Sequence, residues 1–194
     1  MAKNVYCVSI DPETLEVNEE ETLKLREAKK KERLSQGIPG QEFIAKLVER
    51  REKRDLPGPT LAFFDELMAF SPSLKDQLEF EKAFSERDLP KLDVNPVKDV
   101  VELTPYIKIV EDDKGGRYAV CSQCGHVYCK ADENFKLHAL ISDRDAQEIH
   151  KKHQASDPDW MVYREFYCPG CGTLVEVEGT PLCCPILHNV ELRL

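Results

Sequence analysis

Two short cysteine motifs are the part of this chain whose residue types and spacing could do chemistry. They read Cys121-Ser122-Gln123-Cys124-Gly125 and Cys168-Pro169-Gly170-Cys171-Gly172. Two residues between thiolates allow one tight turn to present both sulfurs to one ion, and the glycine that follows tolerates a left-handed backbone. Each motif is predicted to be a knuckle of a zinc-ribbon-like fold, with one structural Zn²⁺ held by Cys121, Cys124, Cys168 and Cys171.

A four-thiolate site leaves no open position on the ion for water or substrate, so catalysis at this metal is not expected. The chain also contains no nucleophile motif, phosphate-binding loop or carboxylate pair at catalytic spacing. We therefore assign no catalytic residue. Four thiolates also suit iron, and a rubredoxin-like electron carrier stays open as an alternative.

The other four cysteines, Cys7, Cys129, Cys183 and Cys184, have no partner at a motif spacing. Such cysteines are most often small buried hydrophobic residues. The adjacent pair Cys183-Cys184 could instead form a redox pair or a second site. His126 follows the first knuckle and is predicted to lie near the metal site without being a ligand.

Charge and hydropathy limit the classes of partner. The 27 basic and 36 acidic residues give a net charge of −9, which disfavours binding to a phosphate backbone. The predicted ribbon strands carry Glu165, Glu176 and Glu178, which also argues against nucleic acid. With no apolar stretch of about 18 residues and no export signal, we expect a cytoplasmic protein that does not enter membranes. A nucleic-acid-binding ribbon or a general interaction protein remains an alternative.

The knuckles require strands to hold them, and the period of the sequence predicts two hairpins. Residues 106–110 and 117–120 form the first, and residues 160–167 and 173–178 form the second. Between the knuckles, residues 134–140 and a segment from Ser142 or Asp143 to His153 are predicted to be helical. Residues 99–194 are therefore predicted to be a zinc-ribbon-like domain with a helical insertion at 130–158.

The first half of the chain has helical periodicity broken by prolines. A short strand and turn are predicted within residues 1–17, followed by helices at 21–36, 41–54, 61–68 and 71–87, and then by a linker at 89–96. These short helices carry more apolar surface than they can enclose, so residues 1–98 are predicted to form an extended, mainly helical arm that packs on partner subunits. The alternative is a small helical bundle packed on the second half of the same chain. The fold class is α+β.

The wording around the knuckles resembles a known family. The matching segments are Asn134-Phe135-Lys136-Leu137-His138-Ala139-Leu140, Asp157-Pro158-Asp159-Trp160-Met161 and Arg164-Glu165-Phe166-Tyr167-Cys168-Pro169-Gly170-Cys171-Gly172-Thr173-Leu174. Across residues 118–180 the chain is similar to the gamma subunit of acetone carboxylase, a group that includes acetophenone carboxylase. An atypical amino-terminal half fits the acetophenone enzyme better.

The resemblance implies an accessory zinc-binding subunit in a hetero-oligomer. Large hydantoinase-like subunits are then expected to bind ATP and a divalent metal, and to carboxylate a ketone with bicarbonate to a β-keto acid through carboxyphosphate and an enol phosphate. Metal ligation is carried only onto the four knuckle cysteines. A further hypothesis is that Lys136, His138 or Arg144 of the insertion lines a tunnel between subunits.

Overall fold

The structure is a computed structural model, and it describes residues 2–149 and 157–188. The described chain contains both helices and sheets, as predicted. Its α-helices are α1 (Ala2–Tyr6), α2 (Glu19–Gln36), α3 (Gly40–Glu52), α4 (Gly58–Phe70), α5 (Pro72–Glu86) and α6 (Ala146–Ile149), with a 3-10 helix at Phe135–His138. Its strands are β1 (Ile38–Pro39), β2 (Pro96–Thr104), β3 (Ile107–Asp112), β4 (Arg117–Cys121), β5 (Val127–Lys130), β6 (Leu140–Asp145), β7 (Met161–Tyr167) and β8 (Leu174–Pro181).

The helix boundaries follow the local signals closely. The side chain of Asn18 accepts a hydrogen bond of 2.9 Å from the amide of Glu21 and so caps α2. Pro72 occupies the first turn of α5, where a missing amide costs nothing. Helices α2 to α5 are confirmed within a few residues of their predicted bounds.

The strands form two antiparallel four-stranded sheets, ordered β2-β3-β4-β5 and β1-β6-β7-β8. The first is a meander that contains the first predicted hairpin, with Ile109 opposite Ala119. The second contains the second predicted hairpin, with Glu165 opposite Val177. Both predicted hairpins are confirmed.

The prediction of a helix from Ser142 or Asp143 onwards is wrong for its first residues. Residues 140–145 form β6, an inner strand whose Ile141 is fully buried opposite Phe166 of β7. Pairing with β7 along residues 140–145, and with β1 at Leu140 and Ile141, overrides the weak helical preference of this polar segment. Only α6 follows as a helix, and the end of the predicted helix, with His150 and His153, lies outside the described residues. The segment 130–158 is therefore not a purely helical insertion, because it supplies a strand to a sheet.

The start of the chain also differs from the expected strand and turn. Residues Ala2–Tyr6 form a short helix, and only an isolated bridge joins Ile10 to Val17. A turn between them is held by the Asp11 carboxylate, which accepts hydrogen bonds from the amides of Glu13 and Thr14.

One hydrophobic core includes residues from both halves of the chain. Ile44 of α3 and Phe84 of α5 are buried in the same cluster as Ile107 of β3 and Phe166 of β7. Helices α3 and α5 thus pack on this chain's own β-sheets, as in the alternative considered above. Packing of residues 1–98 on partner subunits stays a prediction.

Buried ion pairs join the helices and sheets to the segment after β8. Arg51 pairs with Glu81 at 2.6 Å and donates a hydrogen bond to the carbonyl of Cys183. The other carboxylate oxygen of Glu81 accepts from the amide of Ile186 at 2.7 Å. Removing one member of such a pair leaves a buried charge uncompensated, which typically costs about 3–5 kcal/mol.

Candidate metal centre

The first knuckle is the turn between β4 and β5. The amide of Cys121 donates to the carbonyl of His126 at 2.8 Å, and the amide of Gly125 donates to the carbonyl of Cys121 at 2.9 Å. Gly125 has φ +75°, in the region that favours glycine. These bonds close a tight loop that points both cysteine side chains to one side.

The second knuckle is the turn between β7 and β8 and repeats this pattern. The amide of Cys168 donates to the carbonyl of Thr173, and the amide of Gly172 donates to the carbonyl of Cys168, both at 2.8 Å. Gly172 has φ +68°. The two motifs of the sequence are therefore two copies of one backbone structure.

The structure brings the four knuckle sulfurs together. The Sγ atoms of Cys121, Cys124, Cys168 and Cys171 all lie within 4.8 Å of one another. The Sγ atoms of Cys124 and Cys168 are 3.6 Å apart and those of Cys121 and Cys171 are 4.0 Å apart, far beyond a disulfide bond of about 2.05 Å. Tetrahedral zinc with bonds of about 2.3 Å separates its sulfurs by about 3.8 Å. The cluster can hold one metal ion, and its spacing is compatible with zinc.

Exposure differs among the four sulfur-bearing residues. Cys121 and Cys168 are fully buried, Cys171 is partly buried and Cys124 is exposed. The knuckles also touch each other, because a Cβ atom added at Gly170 would lie 3.1 Å from the Cys124 sulfur. Two of the four cysteines, Cys121 and Cys168, are therefore shielded from solvent, and the other two are at least partly exposed.

The surroundings act unequally on the thiols. Burial raises the pKa of Cys124 and of Cys168. Burial acts in the same direction on Cys171, but hydrogen bonding, chiefly from the hydroxyl and amide of Thr173, outweighs it and lowers the pKa of Cys171 to about 7. The Cys171 sulfur lies 3.2 Å from the Thr173 hydroxyl. The contacts with Thr173 therefore favour the thiolate form of Cys171.

Two buried hydroxyls between and on strands β4 and β5 give a separate test of whether thiolates fit here. Ser122 Oγ and the Tyr128 hydroxyl are buried and have no hydrogen-bond partner among the described residues. Buried hydroxyls are normally paired, and anionic sulfur is a much stronger acceptor than a neutral thiol. A metal-bound form of the cluster would therefore suit the polar groups around it better than four neutral thiols do.

The remaining cysteines do not join this cluster. Cys7, Cys129 and Cys183 are buried and Cys184 is partly buried. Burial raises the pKa of Cys129, whose sulfur lies 3.7 Å from the Glu133 carbonyl. A redox role for Cys183 and Cys184 stays a hypothesis.

The histidine beside the first knuckle is not part of the four-sulfur cluster. The ring of His126 packs edge-on against Tyr128, with centroids 5.3 Å apart. Burial lowers the pKa of His126, so neutral imidazole is favoured.

The three insertion residues suggested for a tunnel each have an acidic partner. Lys136 is buried and its Nζ lies 2.5 Å from Glu178. His138 Nε2 lies 3.1 Å from Glu133, and Arg144 lies 3.0 Å from Glu148. These pairs give the three residues a place in the fold, and the tunnel stays a hypothesis.

Two residues beside the sulfurs were not found from the sequence, Thr173 and Tyr128. Thr173 could have been noticed from the sequence, because a residue with a hydroxyl group directly follows Gly172 at the end of the second knuckle. The second carries no local signal, since Tyr128 approaches Cys168 only through the packing of the two hairpins.

No helix in the described parts of the chain is both long and apolar enough to cross a membrane.

Comparison with known proteins gives a consistent result. Residues 96–194, about half of the chain, match the family model described as acetone carboxylase gamma subunit. The acetone carboxylase gamma subunit of Xanthobacter autotrophicus is 35% identical over 96 residues, which cover 47% of this chain and 57% of that protein. The acetophenone carboxylase beta subunit of Aromatoleum aromaticum is 31% identical over 98 residues, which cover 47% of this chain and 74% of that protein.

The chain therefore spans little more than half the length of the first of these relatives, and residues 1–95 lie outside the family match. The matched region contains both knuckles, both sheets except β1, and the segment between the knuckles. This chain belongs to the acetone carboxylase gamma subunit family.

Proposed function

We propose that this protein is the accessory, zinc-binding gamma subunit of a cytoplasmic, multi-subunit ketone carboxylase. The observation that carries the proposal is the position of the four-sulfur cluster inside the region that matches the family. Large hydantoinase-like subunits would bind ATP and a divalent metal, and would join a ketone to bicarbonate to give a β-keto acid. This chain would stabilise the assembly without contributing a catalytic residue.

The proposed ligands of the zinc ion are Cys121, Cys124, Cys168 and Cys171, arranged as in a zinc ribbon. When bound, the ion supplies a fixed tetrahedral junction between the two hairpins and no reactive position. The amides of His126, Gly170 and Thr173, together with the Thr173 hydroxyl, would offset the negative charge of the sulfurs in the metal-bound form. The role is structural because every ligand position on the ion is filled by protein.

The surface of the helical half supports an assembly role. Phe70 at the end of α4 is 84% exposed and Phe80 on α5 is 54% exposed, although α3 and α5 bury other apolar residues in the core. Exposed aromatic side chains beside a formed core are typical of surfaces that bind another protein. We include the end of α4 and the exposed side of α5 in the contact with the large subunits.

A tagged copy purified from cells that express it natively tests the proposal. We expect large chains to co-purify, about one zinc ion per copy of this chain, and ATP hydrolysis that requires both a ketone and bicarbonate. The Phe70→Ser and Phe80→Ser double variant should retain zinc but recover less of the large subunits. If the purified chain contains zinc but no large chains co-purify, the metal centre stands and the carboxylase role is rejected. Iron in place of zinc would favour a role in electron transfer.

Acetone and acetophenone are the two substrates to compare first, because the two relatives are named for these ketones. We expect the purified complex to hydrolyse ATP faster with acetophenone, in line with the atypical amino-terminal half. A matched assay with both ketones at equal concentration measures this preference. Equal or greater stimulation by acetone would reverse the assignment.

A further inference from the structure

Tyr128 holds a polar group in a part of the core that offers it no ordinary partner. The residue lies on β5, is only 4% exposed, and its hydroxyl has no hydrogen-bond partner among the described residues. A buried hydroxyl left without a partner destabilises the fold. The position therefore calls for an acceptor that is present in the working form of the protein.

Tyr128 and Cys168 are buried in the same cluster, and Cys168 is the residue whose side chain acts most strongly on the Tyr128 hydroxyl. A neutral thiol accepts hydrogen bonds weakly, and a thiolate accepts them strongly. The two groups are matched as donor and acceptor only when Cys168 is a thiolate.

The ring of Tyr128 is held in place independently of the sulfur. It packs edge-on against His126 at 5.3 Å and against Phe135 at 6.0 Å between centroids. Tyrosine has only two side-chain torsions, so these contacts fix where the hydroxyl lies. A donor that is already in position loses little entropy when the acceptor forms.

We propose that Tyr128 is a positioning residue of the metal centre, which donates an O–H···S hydrogen bond to the Cys168 thiolate when the ion is bound. This inference rests on the proposed metal centre. It gives Cys168 a side-chain donor, as Thr173 would be for the Cys171 thiolate, and the donor lies on β5 while the sulfur belongs to the knuckle between β7 and β8. The bond therefore orients a ligand and also joins the two hairpins beside the ion.

Loss of such a bond has a spectroscopic consequence that loss of packing does not have. A hydrogen bond withdraws electron density from the thiolate, so its removal makes the sulfur a better electron donor to the metal. In a cobalt-substituted protein the sulfur-to-cobalt charge-transfer band then moves to longer wavelength. Loss of a partner that orients a ligand also weakens metal binding, typically by 10- to 100-fold.

The test uses the full-length chain, prepared metal-free and reconstituted separately with Co²⁺ and Zn²⁺. For Tyr128→Phe, which keeps the ring, we expect the charge-transfer band to move to longer wavelength and zinc binding to weaken about tenfold in competition with a chelator. Tyr106→Phe is the matched control, because Tyr106 lies beside the first knuckle but is 41% exposed. The control should keep the wild-type band and affinity.

The outcomes separate this inference from the proposed metal centre. If the wild-type chain gives no thiolate-to-cobalt band, the metal centre itself is wrong and the inference fails with it. If the wild-type band forms and Tyr128→Phe leaves both band and affinity unchanged, the role of Tyr128 is overturned while the metal centre stands. If Tyr128→Phe does not fold, the same charge-transfer band is measured in a protein that carries 3-fluorotyrosine in place of Tyr128. Its more acidic hydroxyl should move the band to shorter wavelength, and an unmoved band would reject the proposal.

Discussion

The two knuckles have the same backbone structure and different surroundings. At the first, Cys124 is exposed and a Cβ atom added at Gly125 would meet nothing within 4 Å. At the second, a Cβ atom added at Gly172 would lie 2.3 Å from the carbonyl oxygen of Lys30 in α2. One sequence motif can therefore form an open turn in one place and a packed junction in another.

The second knuckle also has more polar support for its sulfurs. The Thr173 hydroxyl serves Cys171, and α2 covers the turn that carries both. Position 125 favours glycine only because of its left-handed backbone conformation. Position 172 has the same conformation and also has no room for a side chain. The four-sulfur cluster therefore contacts the helical half of the chain through its second knuckle.

We expect the largest effect from replacing one cysteine of either knuckle, because both knuckles then lose the ion that joins them. Cys121→Ser and Cys168→Ser should each lose the bound metal and the cooperative unfolding transition, because structural zinc contributes about 10–16 kcal/mol of apparent binding free energy in small zinc domains. Metal analysis and thermal unfolding measure both losses. Cys129→Ser, also buried but outside the cluster, should retain one ion. Full metal content in Cys168→Ser would contradict the four-ligand site.

The next effect should make the difference plain. Gly172→Ala combines a left-handed backbone with a clash against Lys30, so we expect the free energy of unfolding to fall by about 2–5 kcal/mol. Gly125→Ala has the same backbone conformation and open space, and should cost only about 1–2 kcal/mol. Chemical denaturation of the two variants measures the gap. Equal losses would mean that contact with α2 adds nothing to the second knuckle.

The smallest effect concerns the hydroxyl that only the second knuckle has beside its sulfur. Thr173→Val removes the hydroxyl that would donate to the Cys171 thiolate, so zinc affinity should fall about tenfold while the fold persists. Thr180→Val, another buried threonine on β8, is the control and should leave affinity unchanged. Competition with a zinc chelator gives both values. An unchanged affinity in Thr173→Val would show that the hydroxyl does not support the ligand.

The site could be predicted from the sequence because its information is local. The spacing of Cys121 and Cys124, with Gly125 next, specifies a turn without reference to the rest of the chain. The same holds for the alternating residues of β8, which follow the second knuckle. These features are confirmed because short-range physics determines them.

The features that could not be predicted from the sequence depend on contacts between residues that are far apart in the chain. β6 was predicted to be helical because its polar residues have no strand period, yet the buried Arg164 guanidinium pairs with Asp143 at 2.8 Å and Ile141 faces the core. The Arg51 to Glu81 pair likewise joins two helices whose mutual approach no local pattern encodes. Tertiary contacts override local preference at these positions.

The two sheets have a consequence for the order in which the chain folds during synthesis. Strand β1 pairs with β6, about a hundred residues later, and 43 residues separate Cys124 from Cys168. At about 5–20 residues per second, a ribosome needs about 2–9 seconds to make that stretch. During that time the first knuckle provides only two of the four cysteines of the cluster. Ile44 and Phe84 also lack the strands that later cover them. A chaperone or an early supply of metal would matter most during this interval, before the last motif leaves the ribosome.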